Sequence, residues 1–172
     1  MSSSSKGKPK EKPGAAVIRS WRAIVHAKMR ISSELRPLLA DYNLTGPQWA
    51  VLRILEEAAP EGLRLSELSR RLRVTEGNVT GLVDRMVEGG LVMRDPHAED
   101  RRVIIARLTV HGIEVCGRIA PLLVERLEGL FGVLPPERRL ALTEALEQLA
   151  KTMEPSDAAC LGTECCAGSD GK

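Results

Sequence analysis

The sequence predicts a mainly α fold with a small β-hairpin wing, a winged helix-turn-helix whose terminal helices form a dimerisation lobe. Three observations carry this. Two short helical segments, about 66–72 and 75–89, are separated by only Arg73 and Val74. The hydrophobic period then changes from 3.6 to 2: Leu91-Val-Met-Arg94, a turn over 95–100, and the β-branched run Val103-Ile-Ile-Ala-Arg-Leu108. Long apolar helices flank this unit and find no partner of their own inside it.

The elements follow in order. From 15 to about 40 a long helix is expected, with Ile18, Trp21, Val25 and Met29 on one face. Pro37 disfavours the helical state of Arg36, so a kink or an end is expected there. Thr45-Gly-Pro-Gln48 reads as a capping box that opens a helix to about 58, burying Trp49, Leu52 and Leu55. The next, short helix carries Leu65, Leu68 and Leu72. Thr75 is the N-cap of its successor, where Val79, Leu82, Val83, Met86 and Val87 repeat at i, i+3, i+4, i+7 and i+8 before Gly89-Gly90 closes it.

After the hairpin, Thr109 caps a long helix with Ile113, Cys116, Ala120, Leu123, Leu127, Leu130 and Leu134 at alternating steps of three and four. That is a heptad seam, most simply buried against a second copy of the chain. Pro135-Pro136 breaks it, and a last helix holds Leu142, Leu146, Leu149 and Met153. The expected organisation is a disordered basic tail (1–14), an N-terminal dimerisation helix (15–45), the winged DNA-binding lobe (46–109), C-terminal dimerisation helices (110–153) and a flexible cysteine-containing tail (154–172).

Composition excludes several function classes. A chain of 172 residues with 43% hydrophobic and 28% charged residues can bury its own core without disulfides or metal. Its net charge of +2 is far from that of a disordered polyelectrolyte. No apolar run approaches the roughly 20 residues of a membrane span, and the N-terminal segment lacks the apolar stretch of a secretory signal. A cytoplasmic protein with reduced thiols is expected. No nucleophile–base pair, phosphate-cradling glycine loop or carboxylate dyad appears, so neither an enzyme nor a cofactor is expected.

The second helix of a helix-turn-helix enters the DNA major groove, with its first residues facing base edges. Here those are Thr75, Glu76, Gly77, Asn78, Thr80 and Gly81; subtracting the apolar stripe leaves Asn78, Thr80, Gly81, Asp84 and Arg85 outward. Asn pairs with adenine, Arg with guanine or phosphate, and Gly81 admits close backbone approach. At the hairpin tip, Asp100-Arg101-Arg102 puts two guanidinium groups at the point of greatest reach, where a narrow minor groove attracts Arg. Asp100 would hold one of them or cap the turn. Between 61 and 109 nine Arg stand against eight acids, so a plain solvated face is the competing reading.

Leu44-Thr-Gly-Pro-Gln-Trp-Ala-Val-Leu52, the run Val74-Thr-Glu-Gly-Asn-Val-Thr-Gly-Leu-Val-Asp-Arg-Met-Val-Glu-Gly-Gly-Leu-Val92, and Asp100-Arg-Arg102 six residues before Leu108-Thr109 resemble the multiple-antibiotic-resistance regulator (MarR) family, over about 15–153. The resemblance implies a triangular homodimer joined through its terminal helices, bound to a pseudo-palindromic double-stranded DNA operator and usually repressing. It implies wing contacts by Asp100 and Arg102. It also implies small aromatic or phenolic effectors, bound between the dimer helices and the DNA-binding lobe, that lower DNA affinity.

Two further features bear on what is sensed. Arg22, His26 and Arg30 lie at i, i+4 and i+8 beside Trp21, a cationic line next to an aromatic wall that suits an aromatic carboxylate, with Trp49 as another wall. The competing reading is a row that solvates the helix or pairs with acids across a dimer. Cys160, Cys165 and Cys166 supply three thiols for soft-metal or metalloid capture or a redox disulfide, so the alternative function is a thiol-based redox or metal sensor on the same DNA-binding module. They include no CxxC pair and have no nearby His, which gives little support to a structural zinc site. Cys116, on the heptad seam, reads as a buried small hydrophobe. The family's peroxide-sensing branch relies on a cysteine near the N-terminus, and residues 1–115 contain none.

Overall fold

The computed structural model describes residues 13–97, 100 and 103–152. Its elements are α1 (Pro13–Ala40), α2 (Gly46–Glu57), β1 (Leu63–Arg64), α3 (Leu65–Leu72), α4 (Glu76–Glu88), β2 (Val92–Pro96), β3 (Ile104–Leu108), α5 (Val110–Phe131) and α6 (Pro136–Thr152). The chain divides into two compact units, one ending at Gly46 and the other starting at Pro47.

The first unit is α1 and its exit. The helix does not end at Arg36; it runs through Pro37 to Ala40. Proline forfeits one hydrogen bond to the preceding turn, and a 28-residue helix retains its bonds on either side of that gap. The termination instead lies at Asn43, whose φ of 56° places it in the left-handed region. The Leu44 amide donates to the Leu39 carbonyl and the Asn43 amide to that of Ala40, a Schellman closure in which Leu39 and Leu44 are both buried.

The second unit is a winged helix-turn-helix. Its core is built from Val51, Leu52 and Leu55 of α2, Leu68 of α3, Val79, Leu82, Val83 and Met86 of α4, Val92 and Ile105 of the sheet, and Val115, Cys116, Ile119 and Leu123 of α5. The helical repeat of α4 is therefore the buried stripe, except that Val87 at its margin is exposed. Trp49 is only half-buried, and Val51 takes its place in the core.

Between α3 and α4 the turn is made by Arg73, a non-glycine residue at φ 55°, with the Val74 amide donating to the Ser69 carbonyl. Thr75 then caps α4, its hydroxyl accepting from the Asn78 amide at 3.4 Å. The helix closes at Gly90 (φ 68°), the Leu91 amide donating to the Met86 carbonyl; a side chain at that φ would be strained.

The wing has one strand more than expected. β3 is central, paired antiparallel with β2 on one side and with two-residue β1 on the other. Val92 stands opposite Leu108 and Pro96 opposite Ile104, while Leu63 pairs Ala106. Nothing local marks Leu63–Arg64 as a strand; only its partner on β3 makes it one.

The stripe that α5 buries is Gly112, Val115, Cys116, Ile119 and Leu123. The expected seam coincides with it at 116 and 123, but Ile113 is 51% exposed and Leu122 and Val124 also face outward. Part of the expected intersubunit seam is thus core of the chain's own unit. In α6, by contrast, no residue is buried.

Candidate nucleic-acid interface

α4 is the exposed helix of the helix-turn-helix, about 20 Å long at 1.5 Å per residue. Packing of Val79, Leu82, Val83 and Met86 fixes its rotation. Thr75, Glu76, Gly77, Asn78, Thr80 and Arg85 are thereby exposed, with Gly81 and Asp84 half-exposed. A Cβ added at Gly77 or Gly81 would meet no atom of the protein within 4 Å. Neither glycine is required by the chain's own packing, yet each costs helix stability of about 0.5–1 kcal/mol relative to alanine.

The polar side chains on this face are not equivalent. The Thr80 hydroxyl donates to the Glu76 carbonyl at 2.9 Å. Asp84, read from sequence as an outward group, places its carboxylate 2.6 Å from Nη1 of Arg94 on β2. Nη2 of the same guanidinium donates to the Thr80 carbonyl at 3.1 Å. Arg85 is exposed and has no ion pair among the described residues. Asn78 keeps its amide side chain exposed, while its backbone amide serves the cap.

Sequence reading missed Arg94. The signal was in the strand alternation: Arg94 falls on the same face of β2 as buried Val92, so its charge needs an acid on the element packed beneath. Arg64 and Arg73 were likewise missed. Both are exposed and without an ion pair among the described residues, whereas Arg70 and Arg71 are both engaged by Glu67. The hydrogen bond from Arg71, together with the adjacent charge of Arg70, holds the Glu67 carboxyl below the ordinary carboxylate range.

In the wing, the His97 amide donates to the Val103 carbonyl and the Val103 amide to the Asp100 carbonyl at 2.9 Å, so the backbone of Asp100 shapes the turn. At its base the Arg107 guanidinium ties β3 to the Glu61 carbonyl at 2.8 Å and to the Asp95 carboxylate. Arg101 and Arg102 lie outside the described residues.

The expected effector residues fall in both units. On α1, Trp21, Arg22, Val25, His26 and Met29 line an open groove along one helix face, and Trp21 is 63% exposed. Arg30 is exposed but does not line that groove. Trp49 belongs to the second unit, at the start of α2.

Cys160, Cys165 and Cys166 lie outside the described residues; among those described, no His, Cys, Asp and Glu cluster has metal-binding geometry. Cys116 is fully buried, and burial, followed by the nearby charge of Glu56, pushes its thiol up to about 11. At neutral pH almost none of it is thiolate, the reactive form. Cys116 of the folded protein is therefore expected to resist iodoacetamide at pH 8 and to react on denaturation; modification at equal rates in both states would contradict this burial. The raised pKa also means that the unfolded chain ionises first as the pH rises. Stability from this group is complete below about 9 and lost towards 11.

Comparison with known proteins gives concordant results. A family model described as the MarR family matches residues 44–104. The HTH-type transcriptional repressor IacR of Pseudomonas putida is 31% identical over 134 residues, which cover 78% of this chain and 78% of that protein. Sco3205, a MarR family transcriptional regulator from Streptomyces coelicolor solved in complex with DNA, is similar with a TM-score of 0.75 at 28% identity, over 89% of this chain and 96% of that one. NadR, solved in complex with 4-hydroxyphenylacetate, has a TM-score of 0.67 at 28% identity, over 76% and 93%.

Proposed function

The chain belongs to the MarR family of DNA-binding transcriptional regulators, and from that premise we propose that it is a cytoplasmic homodimeric repressor that leaves a pseudo-palindromic operator when an aromatic or phenolic effector binds. The observation that carries this is the outer face of α4. It combines an N-capped start, exposed Asn78 and Arg85, and two glycines whose missing side chains leave open space. Such a face suits a surface that other atoms approach closely, and the DNA major groove is what a helix in this position enters.

In this reading Thr75, Gly77, Asn78, Thr80, Gly81 and Arg85 lie against base edges and flanking phosphates. Asp84 acts through Arg94, and Asp100, Arg101 and Arg102 serve the minor groove. Arg64 and Arg73 add charge for the backbone. Two copies joined through their terminal helices address half-sites about 34–36 Å apart, one helical turn. The effector is a small aromatic acid or phenol held in the α1 groove by Trp21 with Arg22 and His26. The 4-hydroxyphenylacetate bound by NadR has that pairing of aromatic ring and carboxylate. An effector that prefers the unbound lobe spacing weakens operator binding by its differential affinity, typically about 1–3 kcal/mol.

The test is binding of the purified protein to DNA from upstream of its own gene and to random DNA, over a salt series, reduced and oxidised, with and without aromatic acids. Saturable binding to a specific site well above random DNA, released by an aromatic acid, is expected. Release by oxidation alone would transfer the sensing role to the three tail cysteines. Equal weak binding to all genomic DNA fragments would overturn the regulator reading.

Gly81→Ala separates DNA binding from folding. The methyl group enters open space in the free protein, so stability should rise by about 0.5–1 kcal/mol. Against DNA the same methyl intrudes, and operator affinity should fall about tenfold, roughly 1.4 kcal/mol. Thermal unfolding and operator titration should thus move in opposite directions. Unchanged affinity would remove Gly81 from the interface.

A further inference from the structure

We propose that Arg94 is a positioning residue for DNA recognition: it sets the angle between α4 and the β2–β3 ribbon, so that the helix and the wing meet their two grooves in one register. The inference rests on the regulator reading for its consequence at DNA, but the coupling itself is a property of the folded chain.

The geometry is specific. One guanidinium on β2 reaches two points on α4 a turn apart, the Asp84 carboxylate with Nη1 at 2.6 Å and the Thr80 carbonyl with Nη2 at 3.1 Å. A planar fork that bonds two points resists rotation of one element about the other, which a single-point contact does not. Its Nε is buried and has no partner among the described residues, so the two Nη groups alone orient the side chain. The remaining link is short, since only Gly89, Gly90 and Leu91 join α4 to β2. Among the described residues Arg107, at the other face of the ribbon, binds Glu61 and Asp95 and does not reach α4. The Arg94 fork is therefore a polar tie between the part that reads the major groove and the part that carries the wing.

The clamp also explains why Asp84 is acidic on a face meant for a polyanion. A free carboxylate there would repel phosphate, whereas one neutralised by Arg94 does not.

The experiment compares the full-length wild-type protein with Arg94→Ala, Arg94→Lys, Asp84→Ala and the Asp84→Ala/Arg94→Ala double variant. It uses operator and random DNA over a salt series, with amide hydrogen exchange measured on the free proteins. Arg94→Ala is expected to lower operator affinity at least tenfold, to lower random-DNA affinity far less (through the freed Asp84 carboxylate), and to speed exchange in 92–96 and 104–108 while the core of α2 and α4 keeps its protection. Arg94→Lys, one point charge in place of a fork, should recover less than half of the loss on a logarithmic scale. The double variant should be no weaker than Arg94→Ala alone, because both substitutions break one link. A salt slope lowered by about one with ribbon exchange unchanged would make Arg94 a phosphate contact and overturn the proposal. Loss of protection throughout the core would reduce it to a fold-stabilising residue. If the wild type shows no specific DNA binding, the regulator reading fails, and the exchange data alone still decide whether Arg94 fixes the ribbon.

Discussion

Leu146→Glu combined with Leu149→Glu is expected to turn the proposed dimer into a monomer and to abolish the proposed operator binding at nanomolar concentration. In the single chain α6 buries nothing: Leu140, Leu142, Leu146 and Leu149 are all exposed, Leu140 at 60%. In the proposed dimer a partner surface covers this 17-residue helix. Val17, Ile18, Trp21, Ile24 and Met29 of α1 and Leu122 and Val124 of α5 are open in the same way. Apolar surface of this extent is characteristic of a protein interface.

A two-fold dimer repeats each substitution, so two variants per chain bring four carboxylates into the seam, each costing several kcal/mol if desolvated. With the dimer lost, each lobe holds only a half-site and forfeits an avidity gain of about 10²–10⁴. Sedimentation velocity at about 10 μM and operator titration read both effects. A variant that sediments as the wild type would place the intersubunit contact elsewhere.

Gly112→Ala is expected to destabilise the fold by about 2–3 kcal/mol, with a fall in Tm of roughly 5–10 °C. Gly112 sits in the first turn of α5 at the junction of three elements. Its amide donates to the Thr109 hydroxyl at 2.9 Å, and that hydroxyl donates to the Gly90 carbonyl at 2.6 Å. The Thr109 amide donates to the Leu91 carbonyl, the oxygen that a Cβ on Gly112 would strike well inside van der Waals contact. Because the obstacle is backbone rather than a flexible side chain, α5 must shift away from the β2 root, weakening the cap. Thermal or urea unfolding decides the matter; a Tm within 2 °C of the wild type would mean that the junction relaxes without cost.

These two residue sets differ in how far they can be read without a structure. Leu142, Leu146 and Leu149 of α6 stand out in sequence by their spacing, because an amphipathic stripe is a local repeat. The same logic located Thr75 and Thr109 as caps and Val79, Leu82, Val83 and Met86 as the buried face of α4. Gly112 gave no such signal, since the carbonyl that forbids a side chain there belongs to Leu91, 21 positions earlier. Arg94 was missed, and Asp84 was read without its partner, for a related reason. An exposed acid on a recognition helix looks like a base-reading group until the strand that neutralises it is in place. The long seam of α5 was divided only by the fold, because a heptad pattern does not distinguish burial against the chain's own core from burial against a copy.

The order of the helices, the helix boundaries set by caps and the hairpin were determined by the sequence alone, since each depends on residues close to one another in the chain. What tertiary structure decided is long-range. It made a strand of Leu63–Arg64 by pairing it with Ala106 and Ile105, assigned Asp84 to Arg94, and separated the inward residues of α5 from the outward ones. Propensity and periodicity act through neighbouring dihedrals and faces. Pairing, neutralisation and burial depend on which distant atoms the fold brings alongside.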